Sequence, residues 1–203
     1  MSVFKNDFGR IVIALLGLGS ILEGLNGFCY LYYYLGAKSE KDHLDFGKIL
    51  LVSVFMVLVV IGYEWFTAGF EKISSKTFAV QMPGTIAYFA SKNPFPWYRD
   101  FLNGMDKGRA QDLGYAIEWA QILMGIVLML GPMVYLWTNK IDLKKFLNGL
   151  MVVALIGGLL LNANFYLAAS WTSPGTKGIN VVMFWTQFIL LYCLAWLENR
   201  KHA

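Results

Sequence analysis

Ile49-Leu50-Leu51-Val52-Ser53-Val54-Phe55-Met56-Val57-Leu58-Val59-Val60-Ile61-Gly62-Tyr63 runs from Lys48 to Glu64 without a charge, and Trp65-Phe66-Thr67-Ala68-Gly69-Phe70 carries the apolar character on to Glu71 and Lys72. A helix needs about 20 mainly apolar residues to cross the hydrocarbon core of a bilayer. This stretch, roughly 48–72, meets that length, and four others do so too, roughly 10–35, 114–138, 144–170 and 180–198. The expected fold is therefore an all-α integral membrane protein, a bundle of about five transmembrane helices in one domain, 1–203. Its four-helix core is 48–198, and 1–47 supplies an extra N-terminal span and loop. Arg10 before Ile11–Leu22 has the polarity of a signal peptide. The apolar run continues to Leu35 with no small-x-small cleavage site, so it reads as a retained span.

Composition agrees. The chain of 203 residues is 57% hydrophobic and 15% charged, against about 45–50% and about 25% in soluble domains. Aromatic residues reach 16%, which suits rings at head-group depth. The net charge is +4, but no basic run resembles a nucleic-acid arm. Cys29 and Cys193 both lie in apolar runs outside any CxxC pattern, which argues against iron–sulfur clusters, covalent haem and structural zinc. His43 and His202 sit in a loop and at the end of the chain, so bis-histidine haem within the membrane is excluded, and no metal site is expected.

Short loops set the orientation. Lys38, Lys41 and Lys48, then Lys140, Lys144 and Lys145, then Arg200 and Lys201 fall on one side. The expectation is a cell-membrane protein with its N-terminus out and its C-terminus in. The long connection, about 73–113, and the short one, 171–179, then lie together on the outer side. Phe78–Ala90 is too short to span and is interrupted by Pro83 and Gly84, as in a re-entrant or interfacial segment. After it, Pro96 suits a first helical turn. Trp97, Phe101 and Leu102 are expected to share one face of a short helix lying flat on the membrane.

Ionisable groups at membrane depth are costly and usually functional. Glu64 and Glu118 are the candidate catalytic, proton-carrying carboxylates. Around them a candidate quinone pocket takes Trp65, Gln121, Asn162, Asn164 and Trp171, with Gln187 at similar depth and Glu23 nearer mid-membrane. An unpaired buried carboxylate must be protonated or partnered, and a quinone needs hydrogen-bond donors and protons. Glu64, Glu118 and Asn162 should accordingly face the bundle interior. The bland alternative is that the amides glue helices together. Close packing is the expected role of Gly62, Gly69, Gly157 and Gly158. From Glu71 to Asp112 the segment carries six bases against four acids. With Lys177 it would attract a small anion, Lys72, Arg99 and Lys177 being the candidate contacts.

At these residues the chain resembles a known family. Ile61-Gly62-Tyr63-Glu64-Trp65-Phe66-Thr67-Ala68-Gly69-Phe70-Glu71-Lys72 is similar to the first family helix of DoxX/DoxD proteins. Asn93-Pro94-Phe95-Pro96-Trp97-Tyr98-Arg99-Asp100-Phe101-Leu102 looks like the loop after it, and Glu118 with Gly125 and Leu130-Gly131 like the next helix. Asn162-Ala163-Asn164-Phe165-Tyr166-Leu167-Ala168-Ala169-Ser170-Trp171-Thr172-Ser173-Pro174 resembles the DoxD branch most specifically. The resemblance spans about 50–198. It implies the membrane subunit of a thiosulfate:quinone oxidoreductase, oxidising thiosulfate to tetrathionate at the outer face and passing electrons to membrane quinone. It also implies a second, smaller DoxA-like subunit. The competing expectation is a non-catalytic scaffold of a larger respiratory or sulfur-metabolising complex. A small-solute transporter is disfavoured by the lack of an internal repeat.

Overall fold

A computed structural model describes residues 46–199. They form six helices, α1 (Phe46–Ser75), α2 (Phe78–Lys92), α3 (Pro96–Asn103), α4 (Lys107–Trp137), α5 (Ile141–Ala169) and α6 (Pro174–Asn199). Four of them, α1, α4, α5 and α6, are long and apolar enough to cross a membrane. The chain is thus an all-α, multi-pass membrane bundle. The expected span at 10–35 and Glu23 lie outside the described residues. Two compact units divide the chain, 1–56 and 57–203, and the helix contacts that build the site belong to the second.

Each boundary has a local cause. α1 ends where Lys76 takes φ 57°, a left-handed conformation that commonly closes a helix. Pro96 occupies the first position of α3, where its missing N–H is no loss. The Asp106 carboxylate accepts from Arg109 N at 2.9 Å and caps α4. Pro83 lies within α2 and the helix runs through it. With 15 residues, α2 is about 22 Å long, too short for a hydrocarbon core of about 30 Å.

The helices meet at small residues. A methyl group on Gly125 of α4 would sit 2.5 Å from Phe66 N of α1. One on Gly62 would lie 2.8 Å from Met129 N, and one on Gly69 2.9 Å from Ile122 N. Gly114 likewise abuts Ala79 of α2, at 2.7 Å from its Cα. Lipid gives apolar helices no hydrophobic reason to associate, so close backbone approach supplies the attraction instead. Gly62 and Gly69 thus pack as expected. Gly157 approaches Met124, while Gly158 faces Gln187 of α6.

One cluster lies where α2, α3, α4 and α5 converge: Met82, Ile86, Ala90, Tyr98, Leu102, Ala110, Ile117 and Ala168. Tyr98 and Leu102, four apart, form the buried side of α3, whereas Trp97 and Phe101 are exposed. The expected shared face of Trp97, Phe101 and Leu102 is therefore corrected. The four lie on one apolar arc of the helix, opposite Arg99, Asp100 and Asn103, and Leu102 turns to the protein with Tyr98. Asn93 Nδ2 donates to Leu167 O at 2.6 Å, and Phe95 meets Trp171 edge-on at 5.3 Å. These contacts bring 73–113 and 171–179 to the same end of the bundle.

Gly125→Ala should destabilise the bundle by about 1–3 kcal/mol, because a backbone nitrogen cannot move aside. A methyl group on Gly84 meets nothing, so Gly84→Ala should be neutral or stabilising by roughly 0.5–1 kcal/mol. Denaturation of the two variants in detergent, compared with the parent chain, checks both.

Candidate functional site

The helix register decides which polar residues can cooperate. Gly62 meets Met129, Phe66 meets Gly125 and Gly69 meets Ile122, so α1 and α4 run antiparallel. Continuing that register brings Lys72, in the last turn of α1, level with Glu118. Gly131 meets Met151 and Gly157 meets Met124, so α5 is antiparallel to α4 and Asn164 falls near the same level.

Glu118 is buried at 5% exposure, as are Gln121, Asn162 and Gln187. Asn162 Nδ2 donates to Gln187 Oε1 at 3.3 Å, tying α5 to α6. Three nearby polar atoms, Trp65 Nε1, Gln121 Oε1 and Gln187 Nε2, are buried without a hydrogen-bond partner among the described residues. Glu118 and Asn162 thus face the interior, but Glu64 does not. Glu64 is exposed because the buried face of this part of α1 follows Leu58, Ile61, Gly62, Trp65 and Gly69. At 100° per residue, Glu64 points well away from that stripe.

Beyond Glu118, toward the end carrying α2 and α3, lies a cavity of about 820 Å³. Its walls are apolar and include Phe78, Met82, Ile86, Phe89, Leu161 and Phe165. Lys72, Thr85, Tyr98, Asp100, Arg109 and Asn164 are its polar liners. The volume is that of a small-molecule site, about 300–1,000 Å³, and so is the balance of apolar wall and few polar groups. By register Lys72 and Asn164 mark its deep end. Arg109, nine residues before Glu118, marks its shallow end about 13 Å away.

The polar liners differ in what they can offer. Lys72 Nζ donates to Ala68 O at 3.0 Å and lies 5.3 Å from the centre of the Phe78 ring, leaving two of its three N–H bonds available. Asn164 is turned back on its own helix, donating from Nδ2 to Leu160 O at 2.8 Å. Tyr98 OH lies 3.5 Å from Asn164 O, a long contact that leaves the hydroxyl free to bond elsewhere. Burial holds the Tyr98 phenol above its ordinary pKa. Arg109 is paired with Asp106 at 3.2 Å on the surface.

The anion-contact residues are not brought together. Lys72 lines the cavity, Arg99 is exposed on α3, and Lys177 lies over the Trp171 ring at 5.6 Å. Trp171 is outside the cavity. Its Nε1 donates to Leu167 O at 3.1 Å, the carbonyl that also holds Asn93, so Trp171 fastens the loop segment. Tyr98, Phe101 and Arg109 are liners that sequence reasoning passed over. The spacing of Tyr98 and Leu102 was the available signal. Comparison with protein-family models, with curated proteins and with solved structures gives no match.

Removing half of the Asn162–Gln187 bond leaves a buried amide stranded. Asn162→Leu should therefore cost about 1–2 kcal/mol, and adding Gln187→Leu should recover most of it. A double-mutant cycle in detergent denaturation measures the coupling. Tyr98 supplies a pH test. Its folded-state pKa lies above the unfolded value of about 10, so its contribution is complete below that value and fades as pH rises through the folded one. Tyr98→Phe should flatten the alkaline fall in stability; an unchanged alkaline limb would show that Tyr98 does not cause it.

Proposed function

We propose that this chain is the quinone-reactive membrane subunit of a thiosulfate:quinone oxidoreductase. The observation that carries the quinone half is the cavity of about 820 Å³, mostly apolar in its walls, with Lys72 and Tyr98 among its polar liners and the buried Glu118 one residue beyond the liner Ile117. A flat, conjugated dione needs apolar walls and one or two donors, and these residues fit it. The sulfur half is supported by the family resemblance of residues 50–198 and by the basic residues near the same end.

The overall reaction balances simply. Two thiosulfate ions join through a new sulfur–sulfur bond and release two electrons as tetrathionate. A quinone takes up those electrons with two protons and leaves as quinol. Lys72 Nζ and Tyr98 OH donate hydrogen bonds to the ring oxygens, stabilising the negative charge that develops there. Lys72 can pass on a proton, and a proton that Glu118, buried one residue beyond the liner Ile117, takes up from water can replace it. Arg99, Arg109 and Lys177 raise the local concentration of anion at that end, which is the outer face in the expected orientation. A smaller partner subunit would supply what the electron path from thiosulfate still needs.

The scaffold reading has one specific observation in its favour: Trp97 and Phe101 present an exposed aromatic face at the same end. Kinetics separates the two readings. Lys72→Met should weaken binding of a short-tailed quinone about tenfold or more, as expected for losing a hydrogen bond from a charged donor. Glu118→Gln should leave that binding within about threefold yet cut quinone-dependent thiosulfate oxidation severely. Wild-type turnover in both variants would remove the quinone role and favour the scaffold.

A further inference from the structure

The rim of the cavity indicates how a ligand reaches it. Phe101 and Leu113 both line the cavity, yet they are 57% and 39% exposed. One sits on α3 and the other near the start of α4, and they are the apolar part of a rim that exposed Asp100, Gly104 and Arg109 complete. The depth of that rim follows from α4. Before Leu113 the helix carries Lys107, Arg109 and Asp112. After it the exposed face reads Tyr115, Trp119, Leu123, Ile126 and Leu130, the stripe that a membrane-crossing helix turns to acyl chains. The mouth therefore lies where the lipid-facing stripe begins. One turn before Phe101 on the same side of α3 is Trp97, 61% exposed, with exposed Arg99 between them. Exposed aromatic rings mixed with a basic side chain suit the head-group region.

We infer that the cavity opens sideways into the bilayer between α3 and α4, with Trp97 and Phe101 immersed among lipid head groups and upper acyl chains. Its ligand is a membrane-resident amphiphile: the polar head lies toward Lys72 and the apolar tail leaves past Phe101 and Leu113. The mouth lies at the axial level where the acyl-facing stripe of α4 begins, about 120° round the helix from it, and the exposed Trp97, Phe101 and Arg99 beside it have the make-up of a head-group contact, so lipid rather than a protein partner covers this face. The identity of the head as a quinone rests on the functional reading above; the sideways opening does not.

Two measurements on the full chain in nanodiscs test this. The first reads the fluorescence that Trp97 contributes, obtained by subtracting the Trp97→Phe variant. Phospholipid brominated near the top of its acyl chains should quench that component, and aqueous iodide should not. Quenching by iodide without quenching by bromolipid would overturn the immersion and the portal with it. The second compares a naphthoquinone bearing an isoprenoid tail with the same ring lacking a tail. Phe101→Asp sets a charge on the rim. It should weaken binding of the tailed probe about tenfold and of the tail-less ring less than about threefold. Equal losses would make Phe101 an ordinary wall residue and overturn the tail path. Failure of the parent chain to bind either ring would overturn the quinone reading, while the bromolipid result would still decide the portal.

Discussion

The close approach of α1 to α4 through Gly62, Gly69 and Gly125 is the constraint on which the rest of the bundle depends. At these points the backbone of one helix lies against the other with no room for a β-carbon. Inside a membrane such contacts set not only which helices associate but their register along the axis. That register carries Lys72 to the level of Glu118. A shift of one turn, about 5.4 Å, would part the two charges and take the ammonium away from the cavity. The chemistry of the site is therefore fixed by glycines that take no part in it.

Above this seam the segment between α1 and α4 acts as a cover. α2 lies on α4 through Gly114 and Ala79, and α3 follows after a turn held by Asn93. The Leu167 carbonyl, near the end of α5, accepts from both Asn93 and Trp171, while Phe95 stacks edge-on against Trp171. A carbonyl in the last turn of a helix has no intrahelical partner of its own, which leaves it free to hold a neighbouring segment. The cover's core residues, Met82, Ile86, Tyr98 and Leu102, converge on Ile117 and Ala168, and the same six residues form part of the cavity wall. The same short helix can then face protein on one side and lipid on the other.

Much of this was legible in the sequence, and what was not has physical reasons. Run length identified α1, α4, α5 and α6, because crossing a bilayer imposes a length, but α4 and α6 begin at Lys107 and Pro174, ahead of the expected 114 and 180. The burial of Glu118, Gln121 and Asn162 followed from the cost of polarity in hydrocarbon. Glu64 obeyed the same logic and went the other way. A helix that is apolar all round has no amphipathic stripe from which its buried face could be read, so only the positions of Gly62, Trp65 and Gly69 against α4 disclosed it. Leu102 was misassigned because Trp97, Phe101, Tyr98 and Leu102 form one apolar arc of α3, and hydropathy cannot say which edge of that arc meets the protein. The cavity was invisible for a further reason: its liners come from five helices and from no single motif. Lys72 was legible as a cation at the membrane edge, but its place beside Tyr98 required the tertiary structure.

The buried polar residues divide into two groups with different consequences. Asn162 and Gln187 bond to one another, which is what helix glue requires. Trp65 Nε1, Gln121 Oε1 and the remaining Gln187 amide nitrogen are unpartnered among the described residues, and polar atoms in that state lose about 1–3 kcal/mol each. A bundle selected for cohesion alone would do better with apolar side chains of the same volume at these sites. Glu118 makes the argument stronger, since a carboxylate is the most costly group of the set to bury. Lys72, level with it by register, donates to Ala68 O of its own helix and lines the cavity. Cohesion accounts for the amide pair, but it does not account for a buried acid one residue beyond the cavity liner Ile117, at the level of the cavity-lining Lys72.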